Sequence, residues 1–381
     1  MTPGPHHEQR LFECRSRLAQ CVLDLPAHIP RRTTSRSLEN CDSILSSRML
    51  RVTDLLLPGV ETSVLLACDN LRFPRDMVDV YVKPDTEMNA TCLVGRSRAT
   101  VLLSSLLVDI TDTDELAFVI GHELGHYLFP ETNVNLQIEN LESCMLSRYT
   151  EFSMDRIGLV ACRKVEKAVS AKLKLLSGLH SRHLRIDTSA FIAQWRESSN
   201  SPEFTQRWIG ATHPPPGFRA KALIQFSGSD TYRSFSDERG GEPISKVNHS
   251  IAGELDRLLD RHVRDIITSQ LNKLSGWLFA YIAIRGIKPR LSNLRKGLCL
   301  APNETLQSHL GYVLNLEAGE QRHLVSTERL SKSISECNEI APLHTKSYLQ
   351  SVIDEAKELN PLAKELWSLS KVHGIEVILP E

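Results

Sequence analysis

The sequence predicts an α+β chain, with a mostly helical domain that holds a small β-sheet and an all-helical C-terminal domain behind it. Three observations lead there. Short β-rich runs cluster between about residues 76 and 108, apolar residues recur at helical spacing before and after them, and a polar, glycine-rich stretch at 227–245 interrupts the helical pattern. At 381 residues the chain has room for two to three domains of about 150 residues each, enough to bury a core without staples.

In chain order, residues 7–24 read as one amphipathic helix through Leu11, Leu18, Cys21 and Val22, followed by a polar loop from Arg31 to Asn40. The runs Val78 to Val82, Ala90 to Val94 and Ala99 to Val108 read as strands, the last two parted by Gly95 and polar residues. A helix should start at Asp112 or Thr113, whose side chains can cap it, with Asp114 and Glu115 at the positive end of its dipole. Leu116, Val119, Ile120, Leu124 and Tyr127 form its apolar stripe, and Pro130 ends it. Further helices are expected at about 144–164, 165–178, 187–197 and 217–226. A long stripe from Ile251 to Leu278, with segments at 304–316, 346–358 and 361–371, gives the C-terminal helices. The implied division is an N-terminal helix and loop (1–45), a main domain (46–228), a linker (229–245) and a helical C-terminal domain (246–381).

Charge and cysteine usage exclude several functions. Lys and Arg number 45 against 46 Asp and Glu, so no nucleic-acid partner is implied. The nine cysteines are odd in number and never spaced as C-x-x-C, so neither a disulfide framework nor a zinc knuckle is expected, and a reducing, cytoplasmic location fits. The N-terminus lacks the apolar core of an export signal. The runs Ala117–Ile120 and Trp277–Ile284 are far shorter than the ~18 residues a membrane span needs. No phosphate-binding glycine loop and no G-x-S-x-G elbow occur, which removes nucleotide and serine-hydrolase chemistry.

The chemistry concentrates in Gly121-His122-Glu123-Leu124-Gly125-His126, an H-E-x-x-H pattern inside a segment already read as helix. Histidines at i and i+4 share one helix face, so both rings can reach one Zn²⁺ while the adjacent glutamate holds a water whose pKa the metal lowers to about 7. A catalytic zinc needs a third protein ligand and an open position. Glu151 can supply it from a returning helix, with Asp155 on the same face as acceptor for the outer N–H of a ligating histidine. Glu131, Glu139 and Glu142 compete with Glu151 for that role. A further histidine, His213, stands at the proline-stiffened entry to a helix in Ala211-Thr212-His213-Pro214-Pro215-Pro216-Gly217-Phe218-Arg219.

Together these three elements resemble the M48 family of zinc metallopeptidases, whose pattern is H-E-x-x-H, then E-x-x-A-D, then T-H-P followed by an arginine. The resemblance runs over roughly residues 76–226 and includes Met88-Asn89-Ala90 ahead of a strand and Asp114-Glu115-Leu116-Ala117 leading into the metal helix. It implies a zincin-type metallopeptidase domain of a soluble branch without membrane helices. It further implies one zinc per chain held by His122, His126 and Glu151, Glu123 as general base and acid, Asp155 behind a ligating histidine, His213 as donor to the oxyanion, and a supporting role for Arg219. The expected partner is a polypeptide laid along an edge strand of the sheet, taken to be Thr100, Val101, Leu102, Leu103 and Ser104, with an inner core strand as the equal alternative for that segment. Met154 departs from the family's alanine, which puts the packing beside the ligand helix in question.

The expected activity is therefore a zinc endopeptidase. Two alternatives stand beside it. One is a regulatory or interaction protein with a latent or structural zinc site, its C-terminal helical domain binding a protein partner; a fourth protein ligand would favour it. The other is a stress-responsive, repressor-cleaving H-E-x-x-H peptidase, which His213 far from the metal would favour. His6-His7, the pair His180 and His183, and the basic run Arg285, Lys288, Arg290, Arg295 and Lys296 read as solvated residues.

Overall fold

The computed structural model describes residues 5–23, 42–93, 98–132, 140–285, 303–316, 319–356 and 359–379. The expected loop at 31–40, Gly95 and the basic residues from Lys288 to Lys296 lie outside them. The first elements are α1 (Pro5–Leu18), α2 (Asp42–Arg48), β1 (Leu50–Arg51), α3 (Pro58–Leu71), β2 (Val78–Lys83), β3 (Ala90–Leu93) and β4 (Ala99–Ser104). Helices follow as α4 (Ser105–Ile110), α5 (Thr113–Leu128), α6 (Leu141–Cys162), α7 (Val165–Ser177), α8 (Thr188–Ser199), α9 (Pro202–Trp208), α10 (Pro216–Ser227), α11 (Asp230–Ser234) and α12 (Ile244–Leu255). A π turn (Asp256–Asp260) precedes α13 (Arg261–Ile284), and the last helices are α14 (Asn303–Leu314), α15 (Gly319–Ile340), α16 (Pro342–Glu355) and α17 (Asn360–Val372).

The chain divides into two compact units, the first from Met1–Leu25, Arg31–Asn135 and Leu146–Leu258, the second from Pro26–Pro30, Leu136–Met145 and Leu259–Glu381. The division falls at Leu258 rather than within 229–245. That stretch is tied into the first unit: Glu242 N donates to Gly228 O, Asp230 N donates to Glu242 O, and Ser229 caps α11.

In the first unit the strand order is β1-β2-β4-β3, with β2 parallel to β4 and β3 antiparallel to it. This overturns the expectation that Thr100, Val101, Leu102, Leu103 and Ser104 form an edge. Val101 pairs with Val80 on one side and Cys92 on the other, and among the described residues the edge on this side is β3. The near-continuous apolar run of β4 is that of a strand flanked by neighbours, its Val101 and Leu103 fully buried. The strand expected to reach Val108 stops at Ser104, whose hydroxyl accepts from Leu107 N and caps α4.

Asp112 starts α5 with a capping box: its Oδ1 accepts from Asp114 N at 3.1 Å and Glu115 N at 3.0 Å, and Glu115 returns an acceptor to Asp112 N at 2.8 Å. The core links α3, α5, α6, the sheet and parts of α7 and α10 through Val64, Leu71, Val80, Leu103, Ile120, Leu124, Ile157 and Phe226. Where α5 crosses α6, glycines permit the contact. A Cβ on Gly121 would lie 2.2 Å from the Ala161 Cβ, and one on Gly158 would lie 2.6 Å from the Phe118 carbonyl oxygen. Met154, the departure from the family pattern, is housed by Gly125: its Sδ lies 2.6 Å from where a Cβ there would stand.

The second unit buries Leu274, Leu278, Leu330, Ile334, Leu349, Ile353 and Leu366 between its helices. Within it, Glu142 accepts from the backbone N–H groups of Leu343 at 2.7 Å and His344 at 3.1 Å, at the start of α16. Among the described residues no helix is long and apolar enough to cross a membrane.

Candidate metal centre

Three elements of the first unit bring the chemistry together. Helix α5 presents His122 and His126 one turn apart, their ring centroids 5.0 Å from each other. From α6, Glu151 reaches both: its Oε2 lies 3.5 Å from His122 Nε2 and its Oε1 3.6 Å from His126 Nε2. These ligand atoms all lie within 4.8 Å of one another, and among the described residues no fourth His, Cys, Asp or Glu joins the group. His213, in the loop before α10, places Nε2 3.4 Å from Glu151 Oε1.

The competitors for the third position resolve differently. Glu142 is engaged at the start of α16, and Glu139 and the Glu131 side chain lie outside the described residues. His180 and His183 are exposed, the latter accepting from Arg182 Nε. The His6 and His7 side chains are likewise outside the described residues.

Behind the ligand cluster sits Asp155, fully buried on α6. His122 Nδ1 meets its Oδ1 at 3.0 Å, Arg219 on α10 forks onto both oxygens at 2.7 Å, and Lys172 on α7 approaches Oδ1 at 2.6 Å. A carboxylate held by two cations accepts and does not donate, so His122 carries its proton on Nδ1 and turns the Nε2 lone pair toward Glu151 and His126. Arg219 also pairs with Glu151 Oε2 at 2.8 Å.

Burial raises the carboxyl of Asp155 and of Glu151, but the Arg219 guanidinium beside both, with Lys172 at Asp155 and the histidines at Glu151, outweighs it and holds each well below the usual carboxylate range. Burial drives His122 down to about 4, against the pull of Glu151 and Asp155, so the ring is neutral and able to bind a cation. His213, whose side chain is 60% exposed, is also lowered, by partial desolvation first and by Arg219, against the pull of Glu151. Burial and the nearby Arg219 pull the Lys172 ammonium to about 8 despite Asp155. Glu123 differs from its neighbours. Burial raises it, Glu151 adds to the rise, and His126 and the Cys92 backbone N–H of β3 only partly offset them.

Glu151 Oε2 is buried with no hydrogen-bond donor in bonding geometry, its contact with Arg219 being an ion pair. The Nε2 lone pair of His122 faces this oxygen at 3.5 Å, two acceptors set against each other, which fits a cation between them, and the His₂Glu donor set suits zinc.

The sequence motifs do not single out Lys172 or Arg148. Both interrupt apolar stripes: Lys172 follows Val165, Ala168 and Val169 at helical spacing, and Arg148 lies between Met145 and Phe152. Arg148 is wholly buried and donates to Ile209 O at 3.1 Å and Ala211 O at 3.0 Å, tying the loop that carries His213 to α6. A charged residue on a buried stripe is the signal that could have found them.

Residues 58–145 match the family model described as Peptidase family M48. Over that stretch the chain is similar to M48 peptidases. The matched stretch contains His122, Glu123 and His126, whereas Glu151, Asp155, His213 and Arg219 lie beyond it and are brought beside those residues by the fold. A curated relative, "Plastoglobule-localized metallopeptidase 48, chloroplastic" of Arabidopsis thaliana, is 24% identical over 221 residues, covering 47% of this chain. The match spans 64% of that protein's length, just under two thirds. No solved structure gives a significant match.

Proposed function

We propose that this chain is a zinc-dependent endopeptidase that hydrolyses polypeptides. The observation that carries the proposal is the convergence of His122 Nε2, His126 Nε2 and a Glu151 oxygen within 4.8 Å, beside a buried Glu123 on the same helix. Those three residues would hold one zinc ion per chain. Zinc bound there supplies Lewis-acid polarisation of the scissile carbonyl and a water acidic enough to lose its proton near neutral pH. Glu123, its carboxyl raised by burial, accepts that proton and passes it to the leaving nitrogen. His213 donates from Nε2 to the developing oxyanion, its Nδ1 being engaged by the Thr212 hydroxyl at 3.0 Å. Asp155 keeps His122 in the ligating tautomer.

The substrate strand pairs with β3, the edge strand whose Cys92 N–H faces Glu123. The His213 Nε2 contact with Glu151 and the absence of a fourth ligand among the described residues weigh against the two alternative readings. The seven described cysteines are buried and outside any disulfide, in keeping with a reducing, cytoplasmic location. The helical region from about residue 246 is the part offered to a protein partner.

Metal analysis with a peptide-cleavage assay tests the proposal. One zinc per chain is expected, with cleavage lost on chelation and regained on adding zinc; cleavage that survives complete metal removal refutes it. His213→Phe is expected to keep its zinc and its KM while kcat falls about 10²-fold to 10³-fold, the usual loss of an oxyanion donor. A kcat unchanged within threefold would remove His213 from the mechanism.

A further inference from the structure

Lys172 belongs to none of the three motif segments, yet its ammonium ends inside the site. The side chain is more than nine-tenths buried, its Nζ lies 2.6 Å from Asp155 Oδ1, and the same Nζ stands over the Phe118 ring, 5.0 Å from its centroid. Phe118 is one turn before His122 on α5, Asp155 is on α6 and Lys172 is on α7, so the lysine spans the three helices behind the first metal ligand. Asp155 Oδ1 is shared among His122 Nδ1, Arg219 and Lys172, whereas its Oδ2 faces Arg219.

We infer that Lys172 is a positioning residue for the zinc ligand His122, acting through Asp155. Arg219 cannot do this alone, because the same guanidinium is divided between Asp155 and Glu151. With Lys172 present, two carboxylates meet two cations and the ligand cluster is balanced while both imidazoles stay neutral. Without it, Arg219 faces two carboxylates, and Asp155 loses the contact that holds Oδ1 against the His122 ring. Partners placed behind a metal-bound histidine commonly alter affinity about 10-fold to 100-fold when removed.

The inference rests on the proposed zinc site, and zinc itself is the probe. The dissociation constant of the full chain for zinc would be measured by chelator competition for the parent, Lys172→Met and Lys172→Arg. Lys172→Met is expected to bind zinc at least tenfold more weakly, and Lys172→Arg, which keeps charge and donors, to return within about threefold of the parent. In Lys172→Met/Asp155→Asn the loss should not exceed that of Asp155→Asn alone, since both changes break one chain of contacts.

The direction of the change is decisive. A lysine that merely adds positive charge near the metal would, on removal, leave zinc binding tighter, and one that only supports the fold would lower thermal stability while the folded protein kept its affinity. Either result overturns the inference. If Lys172→Met does not fold, Lys172→Gln carries the same expectation, since it keeps a polar donor without the charge. A parent that binds no zinc refutes the proposed site itself; a parent that binds zinc and a variant that binds equally well refute the role of Lys172 alone.

Discussion

Glu123→Gln is expected to retain one zinc per chain and to lose peptide hydrolysis by about 10²-fold to 10⁴-fold, the range over which a positioned proton acceptor contributes. The substitution keeps the size and hydrogen-bonding shape of the side chain and removes the ability to accept a proton. Glu123 is outside the His122, His126 and Glu151 cluster, so the metal-binding atoms are untouched. Its surroundings suit a proton carrier, because burial raises the carboxyl, Glu151 nearby adds to the rise, and the Cys92 N–H and His126 keep it from rising further. A base with a raised pKa holds the proton long enough to deliver it to the leaving amine. Zinc content by elemental analysis and turnover on a fluorogenic peptide are the two measurements. A variant that cleaves as fast as the parent would sink the assignment of the base, while one that loses zinc would show that Glu123 belongs to the ligand set.

The second large effect is on stability. Gly121→Ala is expected to destabilise the first unit by about 3 kcal/mol, the upper part of the usual cost of overpacking. The added Cβ would fall 2.2 Å from the Ala161 Cβ and 3.2 Å from the Gly158 Cα. A short alanine and a backbone carbon have no rotamer through which to yield, so α5 and α6 must separate. That separation would also move Glu151 from the two histidines, and a weaker zinc affinity should accompany the lost stability. Gly59→Ala provides the contrast. Its Cβ would meet nothing within 4 Å on the exposed side of α3, and a helical alanine should leave stability unchanged or raise it by up to about 1 kcal/mol. Denaturation curves of the two variants decide the matter: equal stability of Gly121→Ala and the parent would show that the crossing is not close-packed.

Local features of the site are legible in the sequence because they depend on near neighbours. The capping box at Asp112 and Glu115 follows from residue types three apart, and the pairing of His122 with His126 from the helical period. Met154 can be recognised as a departure, but not its accommodation, since the space it fills is made by Gly125 on another helix. The edge strand escapes for a related reason. Thr100–Ser104 and Ala90–Leu93 are both short β-rich runs, and which of them lies outermost depends on which pairs with β2; β4 takes that place and buries Val101 and Leu103 between two neighbours. Helices α3, α9 and α15 are not anticipated by the apolar spacing, nor is the use of 229–245 as part of the first unit.

Lys172 and Arg148 mark the division most clearly. In sequence each is an unremarked cation; in the fold each is buried, one against Asp155 and the other against the carbonyls of the His213 loop. The order of residues along the chain determined the helix that carries two histidines and a glutamate, because hydrogen bonds four residues apart and a side-chain cap are local. The approach of Glu151 to both histidines, the pairing of Asp155 with both Arg219 and Lys172, and the strand that lies at the sheet edge beside Glu123 among the described residues were decided by tertiary structure. Charges distant in sequence acquire partners only when close packing of α5, α6, α7 and α10 removes water from between them.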